Sequence, residues 1–365
     1  DSVNFEREFD YIREDIPYYG EPFEVINPWE IARFITPYGI NLDLGPDGFT
    51  WVYDVTDYVD MLKGEVDISA GNQQELLDLR FDFIQGTPPR EVLAISRPWG
   101  QFASKKYRDL DENNVLQAVD VEMLPETKEA KIKTRLTGHG HNSNTGEYPH
   151  CCEWKDNTHY LLSNGDTIAD WHIWQATECP ENPVYPQGGT WPGEREGWCP
   201  GDMVDDIEWE LTPYINNQSV NIDYDITDVP ENNQGMGNGN YVVGMHIVQY
   251  GQTVYGHDAE IFDVISPNNN RYYSRLNPIC ADPQIVIKNN GSVALTSLQI
   301  HYGVKGGEMQ TWHWNGLIEP HQKAKISLPV WGDSFWFGDD SNVFEVSVSM
   351  PNGIVDEYPE NNMYQ

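Results

Sequence analysis

The sequence predicts an all-β protein: antiparallel sandwiches of the jelly-roll kind, followed by a C-terminal Ig-like β-sandwich. Three observations predict it. Many short segments alternate apolar and polar residues or run in β-branched residues, Gly, Pro and Asn turns separate them, and no long stretch repeats apolar residues at the helical period.

Taken in order, Glu30-Ile-Ala-Arg-Phe-Ile-Thr-Pro-Tyr38 alternates like a strand stopped by a proline, and Gly45-Pro-Asp-Gly48 is a turn signal. Residues 49–55 are β-rich. Residues 55–63 suit a short helix with Thr56 as N-cap, ended by Gly64. Residues 76–84 alternate again, and Gly86-Thr-Pro-Pro89 breaks the chain, which places a boundary near residue 92. Strands are expected next at 118–121, 130–136, 159–162, 172–175, 206–211, 219–226, 241–250 and 260–266. Residues 268–283 read as a linker. Beyond it, strands are expected at 285–287, 298–304, 311–314, 324–328 and 344–350, with Asn290-Gly291 and Gly306-Gly307 as hairpin turns. The expected domains are 1–92, 93–276 and 277–365. Pro-Glu-Asn-Asn occurs at Pro230 and again at Pro359, too short a match to be a repeat.

Charge narrows the function. The chain carries 22 Lys and Arg against 58 Asp and Glu, a net charge of −36. Such a surface does not neutralise a phosphate backbone, so nucleic acid is excluded as a partner, and anionic lipid is disfavoured. The excess speaks to solubility, including in a salty habitat. No apolar run approaches the ~20 residues needed to span a bilayer. The chain begins at Asp1 with neither Met nor signal peptide, as expected of a processed or trimmed product.

Chemistry-bearing residues concentrate between Thr134 and Gly201, which hold four of the five cysteines, five of the ten histidines and five of the thirteen tryptophans. Cys179 and Cys199 flank a Pro/Gly-rich stretch and look like the ends of a stapled loop, implying an oxidising compartment. For Cys151-Cys152 the alternatives are a bridge from one member to Cys280, a bridge to a cysteine outside this sequence, or reduced buried thiols. Glu153, between Cys152 and Trp154, is a carboxylate whose proton would be held more tightly on desolvation, which suits acid–base work; the alternative is a structural ion pair with Arg195. His139 and His141 share one face of an extended segment, with His150 or His159 nearby. They suit hydrogen bonding along a cleft, and only weakly a copper or zinc site. Trp154, Trp171, Trp174, Trp191 and Trp198 are either a sugar-stacking wall or core. Nucleotide, phosphate-loop and Ser-His-Asp patterns are missing from the sequence.

These segments resemble the bacterial peptide-N-glycosidase F group. Residues 30–38 resemble the group's Glu-Ile-Gly-Arg-Phe-Ile-Thr-Pro-Tyr. Cys151-Cys152-Glu153-Trp154 with Thr158-His159 resembles its Cys-Ala-Glu-Trp and Thr-His. Cys179-Pro-Glu-Asn-Pro183 with Arg195-Glu-Gly-Trp-Cys-Pro-Gly201 resembles its Cys-x-x-Asn-Pro and Arg-Ala-Gly-Trp-Cys-Pro-Gly. The resemblance covers residues 1–270. It implies two consecutive antiparallel jelly rolls with the active site between them, a Cys179–Cys199 disulfide, and cofactor-free hydrolysis of the glycosylasparagine amide bond of N-glycoproteins. It also implies a secreted or surface location.

The resemblance further implies Glu153 as an essential carboxylate and Asp10 as the catalytic aspartate. Trp154, Arg195, Trp198, His139, His141 and His159 would line the site. The sequence departs from the group at the aspartate motif, Cys-Asp-x-Trp-Asp-Arg, whose nearest echo is Glu8-Phe9-Asp10-Tyr11, with Asp1 as a second candidate. A third carboxylate of the group falls near Ser69 to Gly71, where this chain has none. The tail from about 278 resembles adhesion-type Ig-like modules, a candidate for surface-protein assembly. Two further readings stay open: a non-catalytic glycan-binding or surface-structural protein on the same fold, and a metal-dependent oxidase using His139, His141 and His159.

Overall fold

The computed structural model describes residues 27–46, 48–71, 76–140, 151–182, 184–228, 239–273 and 282–364. Asp1, Asp10, His141, His150 and Cys280 lie outside the described residues. The chain is built of antiparallel sheets, as the alternating pattern predicts.

The first set of strands comprises β1 (Val92–Ser96), β2 (Ala103–Lys106), β3 (Val119–Glu122), β4 (Glu129–His139), β5 (His159–Ser163), β6 (Asp166–Trp171), the short pair β7 (Trp174–Gln175) and β8 (Arg195–Glu196), β9 (Ile207–Glu210), β10 (Ser219–Ile226) and β11 (Asn240–Tyr250). One sheet runs β1-β11-β4-β9, with β2 also on β11; the opposite sheet runs β3-β10-β5-β6. Strand β10 shows why they pack. Val220, Ile222, Tyr224 and Ile226 alternate inward against Ile132, Leu136, Tyr241 and Ile247 of the facing sheet. Fully burying each such side chain contributes roughly 1.5–3 kcal/mol.

Strand β4 is buried on both faces although it carries Lys131, Lys133 and Arg135. Its outer face lies under the N-terminal segment, with side chains of the adjacent strand β9 alongside. Asp57 Oδ2 reaches Lys131 Nζ at 2.9 Å and Lys133 Nζ at 3.0 Å, and Asp206 Oδ1 reaches Arg135 Nη2 at 2.6 Å. Asp57 is accordingly held well below the usual carboxylate range by both lysines, against the opposing effect of burial, which is the largest single influence. Three of the cations of this acidic chain are thus buried on one strand.

Three sequence expectations fail here. Residues 30–38, 49–55 and 76–84 form no strand among the described residues. Only Phe34 makes an isolated bridge, to Met203, because this segment is held by charge pairs and scattered main-chain bonds rather than by a ladder. The helix at residues 55–63 is a 3-10 helix, Thr56–Leu62. Val55 is its N-cap, and Thr56 instead donates its hydroxyl to Asp54 Oδ1 at 2.6 Å.

A second sandwich follows: β12 (Ala259–Ser266), β13 (Gln284–Asn289), β14 (Leu295–Val304), β15 (Gln310–Ile318), β16 (Lys323–Ser327), β17 (Phe344–Ser349) and β18 (Met363–Tyr364). Its sheets run β12-β13-β16 and β15-β14-β17-β18 around Ile285, Ile287, Ile300, Tyr302 and Val346. Strand β12, placed by the sequence in the preceding domain, pairs with β13 of this sandwich. Residues 282–283 abut β13, and no described helix is long and apolar enough to cross a membrane.

Candidate active site

Glu153 is positioned by its own main chain. Its N–H donates to Gly140 O at 3.0 Å, just past the end of β4, and its C=O accepts from Glu196 N at 3.0 Å on β8. A side chain at Gly138 would meet Cys152 O and the Glu196 stem, so the crossing needs glycine there. The Glu153 side chain is 15% exposed, with Oε1 at 3.6 Å from Arg195 Nε.

Arg195 is wholly buried. Its Nη1 donates to Gly193 O at 2.6 Å, and its Nη2 to Thr190 O at 2.8 Å and Thr190 Oγ1 at 3.0 Å. Tyr38 OH stands 3.4 Å from Nη2. The guanidinium carbon lies 5.0 Å from the Trp198 ring centroid, close enough for a cation–π contact. Trp198 donates Nε1–H to Gly138 O at 2.7 Å and stacks on His139 at 5.3 Å between centroids. Burial first, then the charge of Arg33, pulls the His139 imidazole down to about 4. Arg33 donates to Thr137 Oγ1 at 2.9 Å, and the same hydroxyl is hydrogen-bonded to His139 Nε2 at 2.8 Å.

The segments singled out in the sequence therefore meet in space. Ile35 N–H donates to Asp202 O and Gly201 N–H to Ile35 O, both at 2.9 Å, which lays residues 33–38 along the chain that follows Trp198. Cys179 and Cys199 are disulfide-bonded, with Cα atoms 5.1 Å apart. Cys151 and Cys152 are bonded to each other, which replaces both the bridge to Cys280 and the reduced thiols.

His159 corrects an expectation. It does not line the cleft; it is fully buried in the sandwich core. Its Nδ1 lies 2.6 Å from Tyr224 OH and its Nε2 3.2 Å from Glu196 Oε1, so both ring nitrogens are taken by the protein. Trp171, stacked on His159, and Trp198 are core residues, whereas Trp154, Trp174 and Trp191 are half-buried. Trp174 lines a shallow groove with Thr134, Leu136, Gln175, Gly197 and Asp205. Among the described residues no three His, Cys, Asp or Glu side chains converge as a metal-holding group.

Glu196 was missed by sequence reasoning. Its Oε1 accepts from Tyr241 OH at 3.1 Å and Asn157 N at 3.3 Å, while its Oε2 has no partner. Burial, then Asp156, pushes its carboxyl up to about 9. Burial, then His172, pulls His159 down to about 3. Both shifts favour the uncharged form of each partner. The signal available in sequence was a glutamate where the resembled motif has alanine.

The fold and site define an antiparallel β-sandwich protein with a buried arginine at a partly open carboxylate. Residues 106–248 match the family model described as peptide-N-glycosidase F, C terminal, so over this region the chain is peptide-N-glycosidase F-like. It is 29% identical over 188 residues to the peptide-N(4)-(N-acetyl-beta-D-glucosaminyl)asparagine amidase F of Elizabethkingia miricola, covering 48% of this chain and 51% of the relative. The chain thus spans about half the length of the curated relative it matches. Two solved structures are similar. PNGase F, a glycosylasparaginase from Flavobacterium meningosepticum, is 21% identical with a TM-score of 0.45, over 60% of this chain and 73% of that one. A second asparagine amidase structure is 22% identical with a TM-score of 0.33, over 37% and 44%.

Proposed function

We propose that the protein hydrolyses the glycosylasparagine amide bond of N-glycoproteins, as an amidase without a cofactor. The observation that carries this reading is Glu153, fixed through both its main-chain groups and faced by the buried Arg195, in the same segments that match the family. In the reaction, a water oxygen bonds to the asparagine side-chain carbon and the bond from that carbon to nitrogen breaks. The nitrogen leaves with the sugar, and a carboxylate stays on the peptide. We assign Asp10 to activating water and Glu153 to holding the sugar or the water. Arg195 orients Glu153, and Trp154, His139 and His141 border the glycan, while the buried Trp198, expected from the sequence to line the site, instead backs His139 and Arg195. The two disulfides are consistent with an oxidising, extracytoplasmic setting, and we extend this to a secreted or cell-surface protein whose C-terminal module joins surface assemblies.

The test is release of free glycan from a denatured N-glycoprotein by the full chain. Glu153→Gln and Asp10→Asn should each lower release by about 10²–10⁴-fold. Unchanged release by Asp10→Asn would move the aspartate role elsewhere. The departures around Asp10 favour the second reading, a non-catalytic glycan-binding protein. Glycan retention without any release by the folded wild type would establish that instead.

A further inference from the structure

Where the chain enters β12, three loops are tied together. Ser292 N–H donates to Tyr255 O at 3.0 Å, Asn290 N–H to Asp258 O at 2.9 Å and Glu357 N–H to His257 O at 2.9 Å. A side chain at Gly291 would meet Gly256 O, so the loops touch through bare main chain.

The side chains gathered here are almost all acceptors. Asp258, 1% exposed, accepts Asn361 Nδ2 at 2.9 Å on Oδ1, and its Oδ2 has no partner. Asn290, 2% exposed, donates Nδ2 to Glu260 Oε2 at 2.7 Å, and its Oδ1 has no partner. Asn361 and Asn362, from the second Pro-Glu-Asn-Asn, also leave Oδ1 unpartnered. Asp356 accepts Ala259 N–H and Tyr358 N–H. Asp356 and Glu260 act on Asp258 as like charges, and Lys288 is the nearby cation that opposes them.

Four buried acceptors without donors are uncommon in a native interior. Water would supply donors but would not offset the repulsion among Asp258, Asp356 and Glu260. A hard divalent cation does both. The donor set is oxygen only, mixes carboxylate with amide carbonyl, and comes from irregular loops, which suits calcium better than the N/S-bound zinc or octahedral magnesium.

We propose that Asp258, Asn290 and Asn361, with the Glu260 and Asp356 carboxylates around them, form a calcium-class site that pins the C-terminal residues to β12. Among the described residues no three His, Cys, Asp or Glu side chains converge as a metal-holding group, so the proposed set depends on the amide oxygens.

The test uses the full chain stripped with a chelator, Ca²⁺ titration by calorimetry, and thermal melts. We expect stoichiometric binding with Kd in the range of about 10⁻⁵–10⁻³ M. Saturating Ca²⁺ should raise Tm by about 3 °C or more. Asp258→Asn and Asn361→Ala should lose that response, and Asp258→Asn should melt no lower than wild type without metal, since it removes a buried like charge. An equal Tm rise in both variants, or an equal rise with Mg²⁺, would mean diffuse counter-ion binding by a −36 chain and overturn the site. So would a wild-type Tm indifferent to Ca²⁺.

Discussion

Arg195 and Glu196 are neighbours on one short strand, both withdrawn from water, and their surroundings are opposite. The pleat sends them to different sides. Arg195 meets two main-chain carbonyls, a threonine hydroxyl, a tyrosine and the Glu153 carboxylate. Glu196 meets a histidine, a tyrosine and a single amide, with no cation, and keeps its proton. Burial alone does not decide which group stays charged; the acceptors and donors on each side do.

Breaking the first side should have the largest effect. Arg195→Ala leaves a buried cradle of acceptors empty, and the expected loss is about 3–5 kcal/mol in denaturant unfolding. Arg195→Lys should recover only part of it, because an ammonium cannot reproduce the planar fork.

The second side makes a pH prediction. Between 4.5 and about 9, folded Glu196 keeps a proton that the unfolded chain releases, so its contribution to stability falls as pH rises through that window. Between about 3 and 6.5, the unfolded chain protonates His159 and the folded one does not, so that contribution rises with pH. The two slopes oppose between 4.5 and 6.5, leaving a net fall from 6.5 to about 9. Glu196→Gln should remove the falling limb, gaining on wild type by up to about 1.4 kcal/mol per pH unit in urea titrations, and staying within about 1 kcal/mol of it near pH 5. Parallel pH curves for the two proteins would show that Glu196 is ionised in the fold. The smallest effect sharpens the contrast: Tyr38→Phe removes a hydroxyl at the 3.4 Å limit of a hydrogen bond and should cost under about 0.5 kcal/mol.

The sandwich strands were legible because their alternation is strict. Residues 219–226 coincide with β10, and 285–287 and 344–350 mark β13 and β17. Strands β1, β2 and β6 were not foreseen. Ala103–Lys106 and Asp166–Trp171 are short and polar, and their place comes from pairing with β11 and β5 rather than from their own pattern. The reverse holds for residues 30–38, whose alternation is real but serves contacts to Asp202, Gly201 and Thr137. At the site, the Cys179–Cys199 staple and the Glu153–Arg195 pair could be read from residue types and resemblance. The inward turn of His159 and the protonated Glu196 could not, since both depend on which side of β5 and β8 faces the core.

The Cys179–Cys199 loop divides the site's amide protons into two groups. Gly193 N–H is bonded to Thr190 O inside the closed loop, whereas Glu196 N–H is bonded to Glu153 O, contributed from outside it. A 20-residue cross-link keeps the loop's ends together even when the sheets part. In native-state deuterium labelling, the buried Glu196 proton should outlast that of Gly193, which sits in a turn between the exposed Pro192 and Glu194, and the reverse order would reveal a form that swings Glu153 away while the arginine keeps its cradle.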